Sequence, residues 1–541
     1  MILLTHHQAK KLISVRRHKD EELKLDEDLC KTFWELAEKY PDEIIAWCEE
    51  EFENDLNPGS WKEVFHHDLT MASYAVKSTY VPNTIGYIDQ LPFINVNREV
   101  QYATWRMSTD VGGLKGKTLL KFKNLFEHVE DFSLLLDSIA KLGQQNGLFC
   151  YSSPQLVKEQ IRLSTSGQKK AESKKLSVNA TASHNDIFAF VYSHYKSIRV
   201  LLLFWCFIKY EKTFPFLPVI RAVFQQNFFK KEVDLLNEVK ARKNKIIGNR
   251  IDVIIPTLGR REYLLQVLKD LKSQILLPKQ VIIVEQNPEP GSKSALPELK
   301  KTNWPFEIVH HFTHQTGACN ARNIALEKVD ADWVFFADDD IRIPSDLLQQ
   351  SLEELNRLGA DCLNINCKQE GEDSVFHKIK QWGSFGSGTS IVNADFCEKI
   401  RFDEIFEYGF GEDQDYGMQL RSAGCDIIYH PNLEILHLKG SRGGFREISL
   451  PPWEKEKPKP SPTLMVYAKK YYSLEQLRGF KTELFLRYYS KQEVRNPLKY
   501  FKMMKERWSK SEECAERLME SKKQSRENRS EIREQLKKVQ D

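Results

Sequence analysis

The stretch IDVIIPTLGRREYLLQVLKDLKSQ (251–274) decides the fold class of this chain. Its first six residues are a continuously apolar, β-branched run that ends at Pro256, as expected of a strand buried on both faces. Residues 260–274 then place apolar side chains at helical spacing. Further strands are predicted at QVIIVEQ (280–286), FEIVHHF (306–312) and DWVFFA (332–337), with a helix at ACNARNIALEKV (318–329). Strands that alternate with helices in this way predict an α/β fold with a mostly parallel sheet and crossover helices.

Three acidic residues, Asp338, Asp339 and Asp340, stand directly after the strand DWVFFA. Adjacent carboxylates repel one another, and a folded protein rarely places three together without a cation. Residues 338 and 340 face one side and offer hard oxygen ligands to Mg²⁺ or Mn²⁺. A solvated acidic turn that caps the helix starting near Pro344 is the alternative. Because ligands of parallel sheets bind at the carboxyl ends of the strands, we interpret the triplet as a metal site.

Polar residues at the ends of neighbouring strands point to the same edge of the sheet. Thr257 and Arg260 follow the first strand, where a short turn approaches a nucleotide, and Glu285 ends the second strand. The segment GACNARN (317–323) opens a helix, so its backbone N–H groups and Arg322 suit an anionic ligand. Each signal is weak alone, since Arg322 is equally typical of a surface ion pair. Their joint order along the chain favours a nucleotide site.

A second group of acids lies in GFGEDQDYGMQLRSAGCDIIYHP (409–431), where a glycine-rich loop leads into a helix predicted from about 414 to 423. A carboxylate at a loop-to-helix junction projects into a cleft, where it can act as a general base. Acids at a helix start also cap the helix, which stabilises it by about 0.3–1 kcal/mol. We assign capping to Asp415 or Glu412 and catalysis to Asp413.

Taken in order, these motifs resemble the family 2 glycosyltransferases of the GT-A fold. The resemblance covers residues 251–446 and rests on VIIPTLGR, GACNARNIAL, FADDDIRIP and GFGEDQDYGMQLRSAG. It implies a Rossmann-like, mostly parallel sheet, preceded here by an α/β N-terminal domain and followed by a helical tail.

The resemblance also implies roles for individual residues. Asp338 and Asp340 bind Mn²⁺ or Mg²⁺, and His437 stands where some members supply a further metal ligand, although a lone histidine is often structural. Asp413 is the catalytic base, with Glu412 beside it. Trp382 stacks on an acceptor ring or is a core aromatic residue. The expected nucleotide and donor contacts are Pro256, Thr257, Arg260, Glu285 (where the family more often has Asp), Gly317, Arg322, Asp338, Asp339 and Gly388.

The implied activity is inverting and metal-dependent. A sugar moves from a nucleotide-diphosphate donor, a UDP-sugar being favoured, to a hydroxyl of a glycan or lipid-linked acceptor in bacterial surface polysaccharide or glycoconjugate synthesis. A nucleotidyltransferase acting on sugar phosphates is the alternative enzyme, but IPTLGRREY has one glycine and no lysine where that class has a glycine-rich basic loop. A non-catalytic scaffold that binds sugar nucleotides is the third alternative, which the intact Asp338, Asp340 and Asp413 oppose.

The domain organisation follows from changes in pattern along the 541 residues. We predict an α/β N-terminal domain of unknown role at 1–240 with an exposed loop at 163–183, a linker at 241–250, the GT-A domain at 251–450, and a proline-rich spacer with a helical tail at 451–541. The densely charged last 35 residues are expected to be solvated or to bind a partner.

One internal similarity bears on the N-terminal domain. EDFSLLLDSIAKLGQQNGLFCYSSP (130–154) parallels EDQDYGMQLRSAGCDIIYHP (412–431), each with Glu-Asp, an amphipathic helix, a glycine and a strand. A degenerate second GT-A-like unit and chance similarity both account for it. We expect such a unit to lack a metal site and to be inactive.

Composition limits the partners and the compartment. Lys and Arg total 79 against 76 Asp and Glu, a near-balance that argues against a nucleic-acid partner. Without a signal-like start or a spanning apolar run, and with ten cysteines read as reduced thiols, the protein is expected in the cytoplasm. The aromatic stretch VLLLFWCFI (200–208), with the following FPFLPVIRAVF (214–224), is either a core helix or a basic-rimmed surface that contacts the inner membrane face.

Overall fold

The computed structural model describes residues 1–17, 21–23, 28–77, 79–160, 181–235, 239–242, 248–407, 409–440, 451 and 453–540, with side chains up to residue 524 except those of 21 and 22. Only the last three residues of the predicted loop at 163–183 lie within this set, and the predicted linker at 241–250 is described only at its two ends. Two β-sheets precede a helical C-terminal region.

The first sheet lies in the N-terminal part of the chain and has eight strands in the order β3-β2-β1-β4-β7-β5-β8-β6. Strands β1 and β4 are parallel, as are β5 and β8, and the other neighbours are antiparallel. The strands are β1 (Ile2–His7), β2 (Lys11–Arg17), β3 (Glu21–Glu22), β4 (Ile44–Glu49), β5 (Thr70–Tyr74), β6 (Tyr102–Ala103), β7 (Val111–Lys115) and β8 (Phe149–Ser152).

The helices of this part pack their apolar faces on the sheet or on one another. The predicted helix at 131–143 is present, and the Asp131 side chain caps it by accepting a hydrogen bond from the Leu134 backbone N–H. The helices are α1 (Leu29–Lys39), α2 (Trp61–Val64), α3 (Gly116–Leu119), α4 (Lys123–Phe126), α5 (Phe132–Gln145), α6 (His184–His194), α7 (Ile198–Cys206) and α8 (Phe216–Ala222).

Helices α7 and α8 contain most of the aromatic stretches 200–208 and 214–224, for which the sequence allowed either a core helix or an exposed surface. One face of α7 is buried through Val200, Leu203 and Cys206, whereas Leu201 and Trp205 on its other face are exposed. The interpretation as a core helix therefore holds for one face only.

The second sheet has the mixed, mostly parallel arrangement that was predicted, and the α/β fold class is confirmed. Its order is β11-β10-β9-β12-β16-β14-β17-β13, with β15 pairing to β17, and the first four strands run parallel side by side. The strands are β9 (Ile251–Leu258), β10 (Gln280–Gln286), β11 (Glu307–Thr313), β12 (Trp333–Ala337), β13 (Ile341–Arg342), β14 (Cys362–Lys368), β15 (Lys380–Gln381), β16 (Thr389–Asn393) and β17 (Ile427–His437).

The apolar runs read from the sequence explain this centre. Strands β9 and β10 are buried along their whole length, and helices follow them as predicted. The helix predicted from about 414 begins two residues earlier, at Glu412. The helices are α9 (Arg261–Lys272), α10 (Glu298–Lys301), α11 (Ala318–Leu326), α12 (Leu347–Leu358), α13 (Ala394–Cys397) and α14 (Glu412–Ser422).

The C-terminal region consists of α15 (Pro462–Tyr471), α16 (Leu474–Tyr489) and α17 (Pro497–Gln540). Tyr500, Met504 and Trp508 on α17 are buried in the apolar cluster that also contains Tyr416 of α14. The last 35 residues were expected to be solvated or to bind a partner, but Trp508, Cys514 and Ala515 at the start of that segment are buried.

Candidate active site

The turn after β9 meets the acidic triplet at the end of β12. The Thr257 hydroxyl donates a hydrogen bond to Asp339 Oδ2 at 2.7 Å. The Arg260 guanidinium lies 3.1 Å from Asp339 Oδ1 and 2.9 Å from Asp340 Oδ2. Arg260 thus contacts both Asp339 and Asp340, which lie in the turn that follows β12.

Asp338, Asp340 and His437 fit a divalent cation. One ligand atom from each of these residues lies within 4.8 Å of the others. Asp340 Oδ1 is 3.3 Å from His437 Nε2, and Asp340 Oδ2 accepts a hydrogen bond from the Gly440 backbone N–H at 2.9 Å. Two carboxylates and one imidazole are a donor set that suits Mn²⁺ or Mg²⁺.

The charges in this cluster are strongly perturbed. Burial opposes ionisation of Asp340, but the hydrogen bonds from His437 and Gly440 outweigh it, and the pKa of Asp340 is lowered. Hydrogen bonds to Asp340 and Cys367 raise the pKa of His437 to about 10. Burial raises the pKa of Asp339 to about 6, despite its bonds to Thr257 and Arg260.

Gly388 allows the Asp338 side chain to lie against the backbone. A Cβ atom at this position would clash with the carboxylate of Asp338. Across the same carboxylate, the buried Arg322 donates to Asp338 Oδ1 at 2.9 Å, and its Nε donates to the Ser387 carbonyl at 3.2 Å. A residue with a side chain is therefore excluded at 388 while Asp338 keeps this position.

Asp413 lies at the first turn of α14 and is joined to the same network. The Ser387 backbone N–H donates to Asp413 Oδ1 at 3.3 Å. Ser387 therefore connects Asp413 with Arg322, and through Arg322 with Asp338. Burial and the neighbouring charge of Glu412 raise the pKa of Asp413 to about 6, and burial likewise raises the pKa of Glu412. A carboxyl group with such a pKa suits a general base near neutral pH.

The capping roles expected for Asp415 and Glu412 are wrong. The N-cap position of α14 is Gly411, and no side chain caps this helix end. Asp415 is buried and accepts hydrogen bonds from Lys470 at 2.5 Å and from the Tyr471 hydroxyl at 2.8 Å. Asp415 therefore joins α14 to α15.

Glu285 and Gly317 lie at this edge of the sheet but are engaged elsewhere. The Glu285 carboxylate accepts from Ser294 at 2.5 Å and from the Ala295 backbone N–H at 2.7 Å, and it lies 2.9 Å from His310 Nε2. Gly317, at φ 140°, donates its backbone N–H to Gln286. Pro256, within β9, is buried opposite Val284.

A carboxylate of the protein occupies the start of the helix that begins with GACNARN. The carboxylate of Glu407 accepts from the backbone N–H groups of Cys319 and Asn320, at 3.0 and 2.7 Å. This corrects the prediction of an anion site at that helix start. Glu407 and Ser387 were not predicted, because no local motif marks a residue that contacts a helix or a carboxylate far away in sequence.

Trp382 belongs to an aromatic cluster at the other end of the site. Its ring stacks on Tyr429 with centroids 4.8 Å apart and meets Phe376 edge-on at 5.0 Å. It is partly exposed, so the structure accommodates both predicted roles. Beside it, a cleft of about 440 Å³ is lined by Gly383, Ser384, Gln414, Lys196, Arg199 and further residues of both sheet regions.

An α/β sheet with paired carboxylates at the carboxyl end of a central parallel strand defines a ligand-binding α/β protein of the nucleotide-binding type. Comparison with known proteins agrees with this class. Residues 252–407 match the family model described as Glycosyl transferase family 2. The chain thus contains a family 2 glycosyltransferase domain, and the resemblance read from the sequence is confirmed.

Individual relatives are distant. The GalNAc(5)-diNAcBac-PP-undecaprenol beta-1,3-glucosyltransferase of Campylobacter jejuni is 24% identical over 157 residues, which are 29% of this chain and 50% of the relative. TarS 1–349 of S. aureus in complex with UDP-GlcNAc is 19% identical with a TM-score of 0.35, covering 44% of this chain and 73% of TarS 1–349. The mannosyltransferase PcManGT of Pyrobaculum calidifontis, in complex with GDP-Man and Mn²⁺, is 14% identical with a TM-score of 0.30, covering 50% and 87%. The chain spans about half the length of the curated relative.

Proposed function

We propose that this chain is an inverting, metal-dependent glycosyltransferase that uses a nucleotide-diphosphate sugar, with a UDP-sugar favoured, and a hydroxyl-bearing glycan or lipid-linked acceptor. The observation that carries the proposal is the network that joins Asp338 to Asp413 through Arg322 and Ser387. It joins Asp338, the proposed cation ligand, with Asp413, whose pKa is raised, and this supports assigning the two chemical tasks of the reaction to one site.

The first task is to stabilise the leaving nucleotide diphosphate. Asp338, Asp340 and His437 would hold the divalent ion, which supplies neutralisation of the charge that develops on the diphosphate. Arg260 pairs with Asp340 and with the neighbouring Asp339 and keeps them in place. Gly388 lets the backbone approach this region, so the donor sugar is proposed to lie between it and Asp413.

The second task is to activate the acceptor. Asp413 takes the proton of the acceptor hydroxyl while that oxygen bonds to the anomeric carbon. The bond from the anomeric carbon to the diphosphate breaks on the opposite face, and its electron pair leaves with the diphosphate. A positioned base of this kind contributes about 10²–10⁴-fold.

The cleft beside Trp382 is proposed to admit the acceptor. Gln414, which lines it, directly follows Asp413 in sequence, and Lys196 and Arg199 line the part next to α7. The relative from Campylobacter jejuni is named for an undecaprenol-diphosphate-linked acceptor, which supports a lipid-linked acceptor and a role in bacterial glycoconjugate synthesis.

A membrane contact follows from the surface next to this cleft. No helix in the described part of the chain is both long and apolar enough to cross a bilayer. However, α7, α8 and the residues around them expose large apolar side chains, namely Ile198, Leu201, Trp205, Phe214, Phe216, Leu217, Ile220, Val223 and Phe224. We call this set the apolar surface. Between residues 196 and 231 the chain has seven basic residues and one acidic residue, Glu211.

Exposed aromatic side chains with basic neighbours suit the interface of an anionic bilayer, where each Lys or Arg contributes about 1 kcal/mol. We therefore propose peripheral binding of the apolar surface to the inner membrane face. The protein is expected to float with anionic liposomes at low salt and to be released at high salt. Trp205→Glu is expected to reduce binding at least about 10-fold, because it places a charge where the bilayer would cover the ring.

Val375→Glu is the matched control, since Val375 is 79% exposed and lies outside the apolar surface. Phe204 is less informative than Trp205 because it is partly buried against the core. Equal flotation of the Trp205→Glu and Val375→Glu variants, or no flotation of the folded wild type, would contradict the membrane contact.

The donor is tested by incubating the full chain with UDP-, GDP- and dTDP-sugars in Mn²⁺ and measuring the release of nucleoside diphosphate. Release from one nucleotide class that stops when the metal is chelated is expected. Release of pyrophosphate from a nucleoside triphosphate and a sugar phosphate would instead identify a nucleotidyltransferase. Binding of a nucleotide sugar without turnover, with all candidate acceptors present, would identify a scaffold.

A further inference from the structure

The two sheets share one topology. Six strands of the first sheet, β1, β4, β5, β6, β7 and β8, have the same chain order and the same neighbours as β9, β12, β14, β15, β16 and β17 of the second. The sense of each pairing also agrees: parallel for the first pair of strands and for the β5–β8 pair, antiparallel for the rest. A short helix follows β7 at once, as one follows β16, and α5 precedes β8 as α14 precedes β17.

The correspondence extends to acidic residues. Glu49, Glu50 and Glu51 follow the apolar run of β4, as Asp338–Asp340 follow β12. The N-terminal unit, which was expected to lack a metal site, therefore has an acidic triplet at the corresponding place, and ligand atoms of His7, Glu49 and Glu50 lie within 4.8 Å of one another. Glu130 and Asp131 stand directly before α5, close to the place that Glu412 and Asp413 take as the first two residues of α14.

The two sheets differ at the edge where the second sheet is expected to bind the nucleotide. Where β9 pairs with the parallel strand β10, β1 pairs with the antiparallel strand β2 of a hairpin. Glu49 accepts from the Gln8 backbone N–H at 2.9 Å, and Glu51 forms an ion pair with Lys77. These contacts pair Glu49 and Glu51 with groups of the protein. Among the described residues, no strand parallel to β1 takes the place that β10 has beside β9.

What the first sheet keeps is a polar cleft of about 370 Å³ at the carboxyl ends of β5 and β8. Ser73 and Ser152 come from these strand ends, and Arg106 comes from the β6–β7 connection, which corresponds to the Trp382–Gly388 segment. Ligands of α/β sheets bind at such strand ends. The cleft lining consists of Ser73, Ala75, Thr79, Asn83, Ile94, Asn95, Val96, Arg98, Arg106, Ser152 and Ser473.

The cleft contains positive charge that no described carboxylate pairs with. Arg106 is 9% exposed, and its terminal nitrogens donate to oxygens of uncharged groups at Ile94, Thr79, Val81 and Asn83. Its Nε is buried without a hydrogen-bond partner. A buried cation of this kind is costly unless an anion compensates it.

Asp137 is the carboxyl group whose charge acts on Arg106, and no hydrogen bond between the two side chains is seen among the described residues. Burial raises the pKa of Asp137 to about 8, which weakens this compensation near neutral pH. Arg98, a second cation lining the cleft, acts with burial to lower the pKa of Arg106, against the opposing effect of Asp137. Neither arginine forms an ion pair within the described residues. Two converging arginines among hydroxyl and amide groups match a ligand with both negative charge and hydroxyls.

We propose that the N-terminal domain is a degenerate second GT-A-like unit that binds an anionic saccharide, through its carboxylate or phosphate, in the cleft around Arg98 and Arg106. The domain thereby holds a charged glycan next to the transferase domain. The proposal does not depend on the chemistry at Asp338 and Asp413.

The test is calorimetric titration of the full chain with three probes: trigalacturonate, a glycerol phosphate trimer and neutral maltotriose. At least one charged probe is expected to bind about 10-fold more tightly than maltotriose. Arg98→Ser is expected to weaken that binding at least about 10-fold, as for loss of a charge-assisted hydrogen bond. Carboxylate and phosphate recognition are distinguished by which charged probe binds.

Arg242→Ser is the matched control, because Arg242 is an exposed arginine of the same part of the chain outside the cleft. Arg106→Lys, which keeps the charge, is expected to retain part of the affinity. Nucleotide-sugar turnover measured on the same samples is expected to be equal in wild type and Arg242→Ser, which separates failure of this site from failure of the transferase site. Charged probes that bind no better than maltotriose, or an Arg98→Ser variant that binds like wild type, would overturn the proposal.

Discussion

Replacing Asp340 with asparagine is expected to lower nucleotide-sugar turnover at least about 1,000-fold in saturating Mn²⁺, a loss of several kcal/mol of transition-state stabilisation. Asparagine keeps the shape of the side chain and an oxygen that can accept from the Gly440 backbone N–H and from Arg260. The fold should therefore persist while the charge that binds the cation is lost. The measurement is release of nucleoside diphosphate as a function of Mn²⁺ concentration, with thermal unfolding as the check on the fold.

Asp330→Asn is the matched control for this substitution. Asp330 precedes the opposite end of β12, and its side chain is 78% exposed and paired with Lys279. The Asp330→Asn variant should turn over the donor at the wild-type rate. Full wild-type activity in excess chelator, or an Asp340→Asn variant as active as Asp330→Asn, would show that the cluster is not a metal site.

The sheet around this cluster was predictable because its signals are local. IDVIIP and QVIIVEQ are buried on both faces as strands β9 and β10. Continuous apolar runs of that length are typical of central strands in a parallel sheet. The acidic triplet was predictable for the same reason, since its position at a strand end is visible in the sequence.

Contacts between distant segments were not predictable. Glu407 contacts the helix start at Cys319 and Asn320, which lie 88 and 87 residues away in sequence, and no pattern near either segment marks that pairing. Asp415 appeared to be a helix cap in sequence, but in the structure it joins Lys470 and Tyr471. In both cases tertiary packing decided which group satisfies a buried charge or a helix end.

The proposed second GT-A-like unit was only partly visible in the sequence. The similarity between 130–154 and 412–431 reflects one helix–strand pair. The acidic triplet Glu49–Glu51 has Glu where Asp338–Asp340 has Asp, and the apolar run before it differs in sequence from DWVFFA. Strand order and pairing sense are properties of the folded chain, and six corresponding strands carry more weight than any residue match.

Asp413→Asn is expected to lower kcat at least about 100-fold, because the amide cannot take the proton of the acceptor hydroxyl. Donor affinity should change little, since Asp413 contacts the Ser387 backbone N–H rather than the cation-binding carboxylates. Burial and Glu412 raise the pKa of Asp413 to about 6, so its basic form is lost as the pH falls through that value. In wild type, kcat/KM should therefore fall below about pH 6, and Asp413→Asn should lose this dependence. Steady-state kinetics across pH 5–8, about one unit or more on either side of that pKa, measure both effects.

Asp415→Asn separates this role from a structural one. Asp415 is buried, and its bonds to Lys470 and Tyr471 hold α15 against α14, so removing its charge should lower the melting temperature. Because Asp415 lies away from the network of Arg322 and Ser387, the folded fraction should keep the pH dependence of wild type. The opposite pattern, an Asp415→Asn variant that is stable but inactive beside a nearly wild-type Asp413→Asn variant, would assign the base to Asp415. Thermal unfolding and kcat measured on the same two samples distinguish these outcomes, since a base affects the rate and a packing residue affects stability.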